Sequence, residues 1–99
     1  MQMVSSWSVV KMVYVFGEFK IITGYYNHHN NSTPEKCLGI HWNGFPYAKR
    51  NNHMTLSPCV VPANARKAML EGLLQQAEDE NNTERVCELT GAIEFFNKM

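Results

Sequence analysis

Three cysteines in 99 residues, Cys37, Cys59 and Cys87, are too few and too widely spaced to form a disulfide framework, and their odd number fits free thiols in a reducing compartment. The expected location is cytoplasmic. Long apolar runs are also missing. The opening MQMVSSWSVVKMVYVF has no basic region ahead of its apolar residues, and Lys11 interrupts it well short of membrane-spanning length, which argues against a signal peptide, a transmembrane helix and any membrane partner. Charge of one sign is not in excess, since nine Lys and Arg balance nine Asp and Glu. The balance hides a weak dipole: residues 1–62 hold five cations against two carboxylates, and residues 63–99 hold four against seven. All four histidines, His28, His29, His41 and His53, lie in the positive part, so mild acidification would sharpen the dipole.

What is present is an ordinary globular composition, 44% hydrophobic and 18% charged, in a chain too short for two independent cores. One domain spanning 1–99 is expected. From Trp7 to Tyr26 the residues are rich in Val, Ile, Tyr, Phe and Trp, the side chains that suit strands, and the run breaks at Gly17-Glu18. Glycine at the first central position suits a type II′ hairpin turn. The implied register sets Phe16 against Phe19, Tyr14 against Ile21, Met12 against Thr23 and Val10 against Tyr25 on a core face. Val15, Val13, Lys11 and Val9 then face Lys20, Ile22, Gly24 and Tyr26 on a wetter one.

Residues 27–36, NHHNNSTPEK, lack apolar side chains and read as a surface loop. Leu38, Ile40 and Trp42 alternate with Gly39 and His41, which predicts a third strand with Trp42 turned inward. A fourth strand within 54–61 is confined by Pro58, which lacks an amide donor, to an edge or a bulge. Pro62 suits a helix start. Met69, Leu70, Leu73, Leu74 and Ala77 then recur at helical spacing, predicting a helix over about 63–79. Asn81 followed by Glu84 fits a capping box for a second helix over about 82–98, with Val86, Leu89, Ile93 and Phe96 as its inner stripe. Strands followed by helices predict an α+β fold, an antiparallel sheet of three to four strands with an antiparallel helix hairpin on one face.

Sites for chemistry are sparse. Cys37 and His41, four apart on a strand, would stand about 13 Å from each other, too far to share one ion. His28 and His29 have no acidic or thiol partner nearby in sequence to complete a set. Neither a nucleophile motif nor a glycine-rich phosphate loop occurs, and the apolar neighbours of Cys59 suit a structural thiol. The sequence assigns no catalytic residue, cofactor or metal, and the balance leans against an enzyme.

Two binding readings stand side by side. In the first, a sheet roofed on one face leaves Val9, Val13, Ile22 and Tyr26 partly exposed, and Phe95, beside Phe96 at the end of the second helix, is either spare or packed on the core. These residues would form a contact for another protein or for a second copy in a homodimer. Such a chain fits an accessory or inhibitory role of the kind that mobile elements and phages encode. In the second, Phe45, Tyr47, Lys49, Arg50 and His53 in the connection GFPYAKRNNH contact single-stranded nucleic acid, with cations on phosphates and aromatics on bases. Few cations are available to that site, so its binding at cellular salt would be weak.

Overall fold

The computed structural model describes residues 7–27, 33–42, 47–50 and 53–98, with backbone course alone for 47–50 and 53–56. Its elements in chain order are β1 (Trp7–Phe16), β2 (Phe19–Tyr26), β3 (Glu35–Trp42), β4 (Tyr47–Arg50), β5 (His53–Leu56), β6 (Cys59–Val61), α1 (Ala63–Asp79) and α2 (Thr83–Asn97). β1, β2, β3 and β6 form an antiparallel sheet in that spatial order, and the two helices pack on one of its faces, so the predicted α+β class holds. β4 and β5 pair separately as a two-stranded ribbon. Much of the stretch 44–53, which sequence suggested was a plain connection, therefore belongs to a hairpin. The strand expected within 54–61 is divided, with Ser57 and Pro58 between β5 and β6. A proline cannot supply the missing ladder bond, and Pro58 is instead buried against the sheet.

The β1–β2 turn has a positive φ of 61° at Gly17 and none at Glu18, the type II′ pattern. Near the turn the register is the predicted one, with Phe16 opposite Phe19, Val15 opposite Lys20 and Tyr14 opposite Ile21. Farther along it departs. Met12 pairs with Ile22 and Lys11 with Thr23, because an extra residue, Val13, is inserted on β1 between Met12 and Tyr14. A second irregularity sets Val9 and Val10 opposite the single Gly24. Each bulge changes which face the following side chains serve. Val13 accordingly joins Tyr14, Ile21, Leu38 and Val61 in the core under the helices.

On the helical side of that core, Leu70 and Ala77 of α1 and Leu89 and Ala92 of α2 are buried, with Met69, Leu73, Leu74, Val86, Ile93 and Phe96 half-covered around them. The turn between the helices closes economically. Asn81 takes φ 57°, its N–H reaches the Glu78 carbonyl, and the Asn82 N–H reaches that of Ala77, the two bonds of a Schellman motif. Asn82, not the expected Asn81, is the N-cap of α2, and its side chain accepts from the Arg85 N–H at 3.1 Å. Asn81 is taken by the left-handed position that ends α1.

Part of the opposite sheet face is covered by the chain itself. Trp7, at the start of β1, lies over Gly24 and Gly39 and forms a small cluster with Ile22 and Cys37, flanked by Val10, Tyr26 and Val60. Met12 and Val15 on this second face remain exposed, whereas the expectation that Ile22 is partly exposed there is corrected by this one indole. Two adjacent strands carry a glycine where it lies, and only there can a ring approach the backbone so closely.

Candidate functional site: an aromatic row beyond the helix layer

Residues opposite one another in a ladder share a sheet face, so Phe16, Phe19 and Trp42, paired in sequence across β1, β2 and β3, form one cross-strand aromatic row on the helix-bearing side. The row is open because α2 begins just short of it. Arg85, in the first turn of α2, lies over Tyr14, and the Phe16 row stands two residues, about 7 Å, farther along the strand. Phe16 is 66% and Trp42 46% exposed, whereas Phe19 between them is half-buried and meets Tyr14 edge-on with ring centroids 6.2 Å apart. Trp42 is thus on the face that strand alternation assigned to it, yet not inward, since nothing described covers that end of the sheet.

Arg85 binds the row to the rest of the fold. Its guanidinium stands 4.6 Å from the Tyr14 ring centroid and 5.8 Å from that of Phe16, donates to the Val15 carbonyl at 2.6 Å, and has Glu80 at 3.9 Å. By occupying the Val15 carbonyl on the edge strand it also hinders a foreign strand from adding there, as do the two bulges of β1. Backbone pairing by another strand along this stretch of β1 is thereby disfavoured. Aromatics with an arginine beside them are the residue types that dominate protein interfaces.

The residues singled out from sequence fall in different places. Val9 is 77% exposed. Val13 and Ile22 are interior, at 3% and 2%, the first moved by the β1 bulge and the second capped by Trp7. Tyr26 is half-buried against Trp7, with ring centroids 5.2 Å apart. Phe95 is half-buried between Tyr25 and Phe96, at 5.6 and 5.0 Å, with the Lys36 ammonium over its ring. Lys36 also donates to the Phe95 carbonyl at 2.8 Å and to that of Lys98, so the end of α2 is pinned to β3. These five residues do not form one patch. Of the other set, Phe45 lies outside the described residues, Tyr47, Lys49 and Arg50 belong to β4, and His53 to β5.

His28 and His29 lie outside the described residues. His41 is buried on the Trp7 side of the sheet, in the row of Val15 and Lys20, and its Nδ1 has no hydrogen-bond partner among the described residues. Burial, with the Lys20 charge as a lesser cause, lowers its pKa. Cys37 shares that face, and burial chiefly, then Glu35, raises its thiol pKa, so it is held as the unreactive thiol. No group of three or more His, Cys, Asp and Glu capable of holding a metal occurs among the described residues. No described helix is long and apolar enough to cross a membrane.

Phe16, Phe19, Trp42 and Arg85 were missed as a unit. The predicted register already placed Phe16 against Phe19, but the starting point of α2, which exposes the row, depends on the length of the α1–α2 turn and has no local signature. No family model matches the chain, and neither a curated protein nor a solved structure does.

Proposed function

We propose that the protein acts by binding another protein, without chemistry of its own, and that the Phe16–Phe19–Trp42 row with Arg85 is the contact. The observation supporting this reading is the exposure of Phe16 and Trp42 in a continuous row. An aromatic row of this kind gains from leaving water, and a well-packed anchor is worth about 2 kcal/mol or more at an interface. Arg85 offers a planar cation at the rim, so the complementary surface is apolar with a carboxylate at its border. An accessory or inhibitory role suits a protein whose described residues offer a rigid binding edge.

The test is site-specific photo-crosslinking in cells, with a benzophenone amino acid at position 42 and, as control, at the exposed Thr90 of α2. A protein captured from position 42 alone is then purified and its affinity measured against the native chain and the double variant Phe16→Ser, Trp42→Ser. A loss of roughly a hundredfold or more is expected. Equal capture from both positions, or unchanged affinity of the double variant, refutes the assignment.

A further inference from the structure

A different region, on the other sheet face, combines a strained hinge with a side chain that fits one slot. Val9 has φ 52°, in the left-handed region that β-branched residues avoid. It occupies the position of a bulge where glycine normally supplies that conformation. Two residues before it, Trp7 inserts over Gly24 and Gly39. A Cβ on Gly39 would stand 2.7 Å from the indole Cζ2 and Cη2, and one on Gly24 3.1 Å from Cε3, so the slot is cut to the shape of this ring. The indole Nε1 is buried, and among the described residues it has no hydrogen-bond partner that would lock the ring in place.

We propose that Trp7 is exchangeable between copies: two chains straighten at Val9 and each places its Trp7 in the other's glycine-floored slot, giving a strand-exchanged homodimer. The occupant is a second copy because the slot already fits this side chain in this strand context. Exchange reproduces the Trp7–Tyr26 and Ser8–Tyr25 pairings across the two chains and forfeits none of them. The gain comes from Val9. In the closed monomer it holds a conformation that disfavours it by about tenfold, and in the exchanged form it is extended, as valine prefers. Val9 is largely exposed, so a second copy reaches the hinge unobstructed. Two hinges per dimer favour exchange by roughly a hundredfold over a chain with an unstrained hinge.

The experiment measures solution mass by sedimentation equilibrium over a wide concentration range. The native chain should dimerise, and Val9→Gly, which accepts positive φ without penalty, should weaken the dimer by about a hundredfold. Phe16→Ser with Trp42→Ser should leave it unchanged, which separates this dimer from one made by the aromatic row. Mixing Trp7→Ala, which has a vacant slot, with Gly39→Val, whose slot is filled, should give a heterodimer with one buried Trp7, seen by 19F NMR of fluorotryptophan-labelled chains. A native chain that stays monomeric up to millimolar concentration overturns the proposal. So does a dimer equally strong in Val9→Gly, an outcome independent of how the two mixing variants fold.

Discussion

Adding one methyl group at Gly39 should destabilise the protein, against the usual benefit of replacing glycine. The new Cβ would stand 2.7 Å from two atoms of the Trp7 ring and 3.1 Å from the Pro58 Cβ. Carbon atoms rest at about 3.5–4.0 Å, so the indole must retreat by roughly 1 Å. It has little room, because its other edge already meets the backbone at Gly24 and its face meets Tyr26. Overpacking of this kind costs about 1–3 kcal/mol, whereas the lower entropy of an unfolded alanine returns about 0.4–1 kcal/mol. Expelling Trp7 altogether would forfeit burial worth about 4–6 kcal/mol, more than the clash, so the ring shifts and stays. The net loss for Gly39→Ala is about 1–2 kcal/mol, or a fall in Tm of roughly 5–15 °C for a chain of this size.

Thermal unfolding followed by circular dichroism, with urea titration as a second measure, reads this directly. Gly72→Ala is the control: nothing lies within 4 Å of its new methyl and the position is inside α1, so Tm should rise, by about 0.5–1 kcal/mol in stability. Replacing Trp7 by the smaller phenylalanine should make Gly39→Ala less costly than in the native background, a coupling that a double-mutant cycle isolates. A Gly39→Ala protein as stable as the native one, with no coupling to position 7, would mean that Trp7 does not lie on Gly39.

Two further outcomes follow from single groups. The buried imidazole of His41 is held neutral by burial and by Lys20, while in the unfolded chain it takes up a proton near pH 6.5, so stability is complete above that pH and declines as pH falls through it toward the depressed folded value. Urea unfolding between pH 7.5 and 5 should show the decline, and His41→Phe should flatten that part of the curve. Asn82→Ala removes the acceptor for the Arg85 N–H and should cost about 1 kcal/mol in the same assay, with Asn82→Asp largely retaining the cap.

Helices and class were legible because they rest on period. The stripe of Leu70, Leu73, Leu74 and Ala77 and that of Val86, Leu89 and Ile93 demand a roof over something flat, and the β-branched stretch before them is flat. The boundaries came within a residue or two for the same reason, with Pro62 and the asparagines marking ends. The exception at Asn81 is instructive: two adjacent asparagines can each cap or turn, and the Schellman geometry of the preceding helix decided between them.

The faces of β1 were not legible, because alternation presumes a register and a bulge leaves no mark when the inserted residue is another valine. In the run Val9, Val10, Lys11, Met12, Val13, any residue could be the extra one. What selects Val13 is the space beneath α2, and what forces the irregularity at Val9 is the need to bring Trp7 over two glycines that lie on different strands. Both causes are tertiary. They also explain why Val13 and Ile22, first assigned to a partly exposed face, are inside while Phe16 and Trp42, assigned to the core by the same alternation, are outside. Strand alternation sorts side chains between faces, but the roof above a face has an edge of its own, and here that edge falls between the Tyr14 row and the Phe16 row. The exposed aromatics are set by where α2 starts, so lengthening that helix by a turn at its amino end, more than any change within the sheet, is the alteration that would bury them.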